Sequence, residues 1–517
     1  MKVFLFFLSF LLCVQSQSQL VCDWKKNIGG AGHDITHKVS STPDGGYIIG
    51  AQTLSPLCAE QDLQIPAPII IKIDSEGNTE WSKCFDDFND ISGSIAVNSI
   101  QPTEDGGYLM LLTSQSISKL VRLDSLANIV WENTQDFGAG CLNCYPAGAI
   151  ILPGNECILF GTKESSTNQI VQSVTKFDST GNELWQQTYE FENSETIRLA
   201  NIEKTPDGGY IICGGTNEHW DSEQGELSDA FVMRIDNIGN LVWSRTYGGT
   251  RKDYLLDVLA TTNGGFVLSG ITLSNDGDVS GYHTIPDLPE GIVSTWEDMW
   301  IVKIDDEGNI EWQSCIGGYG TDIPVSIDET VSGGYIITGY VQNALGGDWS
   351  NIMGFHGNVD IVLVNISNLG LIEGAQFFGG SDSDVAIDFV QSNDSDFLLA
   401  GITSSIDGDI EFPLGEYDIF LMKFSYATSI KENISVSISV FPNPTSDHVT
   451  INYGDFVGLN GYTLSIFNPM GQLVHSSNIT QQQEYLDLNS WGGMGVYQVV
   501  VYNPQGVPIE TRQIVLQ

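Results

Sequence analysis

The spacing of one short strand restricts this chain to few folds. A basic residue, an apolar residue and usually Asp recur at Lys72-Ile73-Asp74, Arg122-Leu123-Asp124, Lys176-Phe177-Asp178, Arg234-Ile235-Asp236 and Lys303-Ile304-Asp305. Weaker copies stand at Asn365-Ile366-Ser367 and Lys423-Phe424-Ser425. Nine residues after the first residue of each triplet comes Trp81, Trp131, Trp185, Trp243 or Trp312, with Gly374 in that place in the sixth copy. The Asp-x-x-Gly-Asn between strand and Trp is hairpin chemistry: Asp opens a type I turn and Gly takes the left-handed position that returns the chain.

A second mark, Asp-Gly-Gly-aromatic before an apolar run, occurs at Asp44–Tyr47, Asp105–Tyr108 and Asp207–Tyr210, with variants at Asn263–Phe266 and Ser332–Tyr335. From Trp to the next such aromatic the gap is 23 residues in four units (Gly374 standing for Trp in one) and at most 27 in the others, whereas the run from aromatic to basic strand varies from 14 to 37. Seven copies, each reading as four short strands, predict an all-β chain headed by a seven-bladed β-propeller. Strands apolar on both faces, such as 69–73 and 231–235, fit blades buried between neighbours. The last unit has no Trp strand, while Trp24 near the start is unpaired. The N-terminal strand is therefore expected to complete the seventh blade and leave no free edge.

Along the chain, 1–18 reads as a secretory signal peptide, with Lys2 before the apolar run Val3–Val14 and small residues at Ser16 and Ser18. The propeller is assigned to 19–425, a polar linker to 426–436, and a small antiparallel β-sandwich to 437–517, where alternating runs Val449–Tyr453, Tyr462–Phe467 and Val496–Tyr502 are separated by turns. No other run reaches membrane-spanning length. With 65 acidic against 20 basic side chains, a net charge of −45 argues against nucleic-acid or anionic-membrane partners. Cys141 and Cys144 form a lone CxxC, read as a local disulfide or two thiols in preference to zinc.

The C-terminal residues Val440-Phe441-Pro442-Asn443-Pro444, the run Leu464–Gly471, Gly495-Val496-Tyr497 and Thr511–Gln517 resemble the type A sorting domain of the type IX secretion system of Bacteroidota. The resemblance implies Pro442, Asn443, Pro444, Gly471, Gly495 and Tyr497 as the sorting signal, secretion machinery as partner, and a secreted or outer-membrane surface-anchored product reached through the periplasm. The preceding 425 residues resemble bacterial seven-unit propeller repeats common in secreted proteins of those bacteria; that likeness implies a fold and no reaction.

If each blade runs from innermost to outermost strand, the variable loops and the blade crossings share one face, and variation in length marks it as the working surface. Its long loops carry Trp220, Tyr282, Trp296, Trp300, Trp349, Phe355 and Phe412 among acids and amides, the means by which a protein stacks on sugar rings or grips a peptide. The alternative is that these aromatics pack loops onto blades. Asp276 and Asp278, with Asp407 and Asp409, are candidate calcium ligands, set against plain turn chemistry. Asp34, Asp253, Asp322 and Asp384, with Glu195, recur at the crossings, either capping turn amides or collecting a cation at the channel mouth. His33 and His37 resemble half a metal site. No nucleophile with a base stands out, so the expected function is non-catalytic binding of an extracellular ligand, carbohydrate before protein. Polymer-degrading enzyme and structural surface-layer component are the alternatives.

Overall fold

The computed structural model describes residues 20–55, 57–58, 66–85, 95–114, 117–138, 141, 144–167, 169–191, 197–216, 219–221, 225–286, 295–330, 332–392, 396–410, 414–426, 438–453, 462–469, 472–488, 491, 493–502 and 508–517. The chain packs into two units, Met1–Tyr426 and Ala427–Gln517. The signal-peptide and linker assignments fall outside the described residues, save Tyr426 at the linker's start.

In the first unit the described residues form seven four-stranded antiparallel sheets. Six follow chain order; the first is Asp34–Ser41, Tyr47–Thr53, Ala67–Ile73 and Thr79–Cys84, and the sixth is Thr321–Glu329, Tyr335–Gln342, Val359–Ile366 and Ile372–Phe378. In the seventh, Asp384–Gln391, Phe397–Thr403 and Asp418–Tyr426 are joined by Leu20–Ile28 from the start of the unit, Leu20 pairing with Tyr426 and Ile28 with Ile419. The first strand of every sheet touches those of its two neighbours, so these strands line a closed ring. The fold is a seven-bladed propeller.

The repeated residues hold each blade together. Ala67–Ile73 is buried along its whole length, which is why both its faces are apolar. Lys72 is the exception, and its buried ammonium pairs with Asp44 at 3.0 Å and Glu80 at 2.9 Å, tying the Asp-Gly-Gly turn and the outermost strand to the third strand. A buried charge survives only when paired in this way. Arg122 with Asp105, and Arg234 with Asp207, repeat the arrangement. In the Asp-x-x-Gly-Asn turn, Asp74 accepts the amides of Glu76 and Asn78 at 3.0 and 2.7 Å, and Gly77 has φ of 75°.

That glycine also serves the preceding blade. The Trp24 ring lies on Gly77, Trp131 on Gly181, Trp185 on Gly239 and Trp312 on Gly370; a Cβ at Gly370 would come within 2.6 Å of the Trp312 ring. Indole nitrogens donate into the same turns, Trp24 to the Ser75 carbonyl at 3.1 Å and Trp131 to that of Ser179 at 3.0 Å. Each tryptophan thus caps the next blade's turn. Cys58–Cys84 and Cys141–Cys144 are disulfides, the second resolving the CxxC in favour of a local bridge.

The second unit is a sandwich of a three-stranded sheet (Ser439–Phe441, His448–Asn452, Gln483–Asp487) and a four-stranded one (Leu473–Asn478, Thr463–Phe467, Gly495–Tyr502, Pro508–Leu516). Val449, Ile451, Leu464, Ile466, Val499, Val501 and Ile514 fill the space between them.

Candidate functional site

Chain crossings between blades and the long loops between second and third strands meet on one face, where buried carboxylates hold them. Asp34, Asp253, Asp322 and Asp384 are fully buried at 0% exposure. Each accepts the amide of the glycine four residues earlier: Gly30 at 2.8 Å, Gly249 at 2.7 Å, Gly318 at 2.8 Å and Gly380 at 2.7 Å. Ser55, Ser274 and Ser405 donate their hydroxyls to three of them, and the Trp349 indole donates to Asp322 at 2.8 Å. These acids cap the crossing and pin the following loop to it; they do not form an open cation-collecting mouth. Burial pushes Asp253 up to about 6. Glu195 lies outside the described residues.

The candidate calcium ligands of the Asp-Gly-Asp loops bond the chain around them. Asp276 accepts the amide and hydroxyl of Thr250 at 2.8 and 2.9 Å, and Asp278 the amide of Gly248 at 3.2 Å. Asp407 accepts the Ser381 amide at 2.7 Å, while Asp409 takes the Gly379 amide at 3.3 Å and pairs with Lys25. At least one oxygen of each of the four carboxylates staples its loop to the crossing beside it, which is turn chemistry. Among the described residues no group of three or more His, Cys, Asp or Glu could hold a metal ion. His33 instead pairs with Glu416 at 2.8 Å.

Three of the aromatic candidates belong to the core. Trp300 is 0% exposed, Trp349 2% and Tyr282 7%. Trp300 sits in Asp298–Ile304, a third strand buried from end to end, and its indole bonds Gln313 at 2.9 Å. Trp349 packs edge-on against Phe377, as does half-buried Phe355. These rings close loops onto blades, the role set beside ligand binding in the sequence. Trp296 is 39% exposed, and its carbonyl is held by the Tyr282 hydroxyl at 2.7 Å. The Trp220 backbone lies in a small hairpin of His219–Asp221 with Gly225–Leu227, and Phe412 falls outside the described residues.

The inner wall carries a polar girdle that the repeat marks do not announce. Each first strand has a β-bulge, and Lys38, Asn201, Asp257, Ser326 and Asp388 take the same position just after it. Asp388 accepts the Val39 amide of the next blade at 2.7 Å and pairs with Lys38 at 2.8 Å; Asp257 accepts the Ile327 amide at 3.0 Å and bonds Asn201. Side chains of one blade therefore satisfy backbone that the bulge of the next leaves unpaired. Burial, aided by the charge of Asp257, pushes Glu203 and Asp328 up to about 7. Aligning the position four residues after each crossing Asp would have exposed the girdle, but its residue type changes from blade to blade.

Residues 439–517 match the protein family described as the secretion system C-terminal sorting domain. This part of the chain is a sorting domain. A domain of this kind is handled by the type IX secretion machinery and implies a secreted or cell-surface location. Within the sorting domain Asn443 clamps the last strand, donating to the Gln513 carbonyl at 2.7 Å and accepting the Val515 amide at 2.8 Å. Asn443 stands between Pro442 and Pro444, both preceded by cis peptide bonds. Tyr497 is buried, its hydroxyl donating to the carbonyls of Gly493 and Trp491 at 2.8 and 3.0 Å. A Cβ at Gly495 would meet Pro469 at 2.6 Å. Gly471 lies outside the described residues. Among them, no helix is long and apolar enough to cross a membrane.

No curated protein matches the chain. Among solved structures, PorZ of Porphyromonas gingivalis, described as an essential bacterial surface component of the type-IX secretion system, is 11% identical with a TM-score of 0.42 over 95% of this chain and 60% of that one. A Bacteroides caccae protein of unknown function is 15% identical with a TM-score of 0.33, over 60% of this chain and 89% of that one. BBS1N, solved in complex with ARL6DN, is 10% identical with a TM-score of 0.42, over 79% of this chain and 97% of that one. Likenesses at this level add nothing on activity or partner.

Proposed function

We propose that this is an exported, non-catalytic propeller that binds an extracellular ligand, carbohydrate in preference to protein, through the face bearing its long loops. The observation that carries the reading is Trp296, 39% exposed on the long loop between the second and third strands of the fifth blade. A ring exposed beside carboxylates on a rigid support suits stacking on a sugar with hydrogen bonds to its hydroxyls. Because the Asp-Gly-Asp oxygens hold amides, binding is expected to persist in chelator. The test is a glycan and extracellular-protein array probed with the mature full-length chain. Glycan binding that Trp296→Ala abolishes with the melting temperature unchanged supports the reading; an array silent for both glycans and proteins defeats it.

A further inference from the structure

Six blades share one irregularity, and the residue standing there divides the ring. The outermost strand of each opens with a β-bulge, so the residue before the tryptophan position is skipped in the pairing with the third strand: Glu80, Val130, Leu184, Val242, Glu311 and Glu373. In the first and fifth blades the glutamate folds back onto the buried ammonium of Lys72 or Lys303, at 2.9 and 3.3 Å. In the second, third and fourth blades the basic residue takes an acid from elsewhere, Arg122 from Asp105, Lys176 from Glu156 and Arg234 from Asp207, and the skipped residue is aliphatic. It points into water: Val130 is 61% exposed, Leu184 50% and Val242 56%.

The same bulge holds Glu in three blades, so its backbone does not call for an aliphatic side chain. Leu126 and Ile129 of the second blade and Ile238 and Leu241 of the fourth are exposed beside it, where the first blade has Glu76 and Thr79. Trp131 lies on the turn glycine Gly181 and Trp185 on Gly239, so the three hairpins adjoin. Exposed Leu369 and Leu371 of the sixth blade stand apart, in the hairpin that keeps Glu373 at its bulge. The seven side chains of blades two to four leave roughly 700 Å² open, more than the largest apolar patch of a typical monomer and close to the roughly 800 Å² that each partner buries in a standard interface.

We propose that a second copy of this chain docks here, making a twofold dimer through the third-to-fourth-strand hairpins of blades two, three and four. The patch is balanced about its middle: Leu126, Ile129 and Val130 take the same places in the repeat as Ile238, Leu241 and Val242, one blade to either side of Leu184. A twofold axis at Leu184 sets blade two of one copy against blade four of the other, apolar on apolar, which is the self-match an isologous contact needs. These hairpins lie at the opposite ends of the strands from the long loops, so the dimer leaves the ligand-binding face free.

The test is sedimentation equilibrium of the mature full-length chain in about 0.05 and about 0.5 M NaCl. A dimer is expected, tighter at the higher salt, because screening removes the repulsion between two chains of net charge −45 while the apolar contact stays. Leu184→Glu, which sets two charges together at the axis, should weaken it at least about tenfold with the melting temperature unchanged. Val130→Glu with Val242→Glu, the residue this bulge already holds in other blades, serves should the first variant fail to fold. Leu184→Cys should give a disulfide-linked dimer with oxidised glutathione, and Glu311→Cys should not. A monomer at every concentration and salt, a dimer indifferent to both glutamate variants, or equal cross-linking of the two cysteine variants would overturn the proposal. A monomer whose Leu184→Cys thiol resists maleimide would also overturn it, assigning the patch to another part of the same chain.

Discussion

The outer rim and the inner wall of the propeller use carboxylates in opposite electrostatic settings. On the rim, Asp74, Asp124, Asp178, Asp236 and Asp305 face water, and hydrogen bonds from the Asn four residues on hold their carboxyls below the usual range, Asp178 at about 2. On the inner wall, burial drives Glu203 and Asp328 up to about 7 and raises Asp257. A rim aspartate serves its own turn, within five residues of chain. An inner acid serves the neighbouring blade, and its cost is met by partners 50 or more residues away, as with Asp257 and Ile327.

If that contrast is right, the inner wall is where a single truncation does most harm. Asp257→Ala strips the Ile327 and Val258 amides and the Asn201 amide of their acceptor. It should cost about 3 kcal/mol in urea unfolding, since buried donors are left unpaired. A loss under about 1 kcal/mol would place Asp257 with the rim acids. Next comes Trp243→Ala, which removes a half-buried ring from one junction and should cost about 2 kcal/mol by the same measurement.

The smallest effect is the one that separates the two regions by sign. Glu203 and Asp328 bind protons more tightly folded than unfolded, so stability should fall as pH rises from about 4 to about 7. The rim acids act in reverse: their contribution is present above about pH 4 and lost as pH drops toward 2. Melting temperature followed from pH 4 to 8 should decline, and the pair Glu203→Gln with Asp328→Asn should flatten the decline. An unchanged slope would mean the inner acids are not held neutral by the fold.

The rim was legible because its chemistry is local. Asp-x-x-Gly-Asn demands one backbone shape, and the Trp nine residues after the basic position follows from a hairpin of fixed length, so the pattern survives in the sequence and yields the blades. The loop face was legible only as a location. Trp300, Trp349 and Tyr282 read as exposed because they belong to variable stretches, but Trp300 lies within a buried third strand, and Tyr282 and Trp349 pack their loops into the core of the blades. Asp276 and Asp407 have the composition of calcium loops, yet the crossings beside them offer amides that a hydrated ion would have to displace. The girdle at Lys38, Asn201, Asp257, Ser326 and Asp388 had no motif, because the shared requirement is a place in the ring and not a residue type.

The sequence by itself determined the repeat, the all-β architecture and the C-terminal sorting domain, since hairpin turns, apolar strands and the Pro-Asn-Pro segment express constraints within a few residues. Only the tertiary structure decided which carboxylates are buried and which aromatics reach water. Those properties depend on what the next blade brings to the junction, as where Asp257 meets the Ile327 amide.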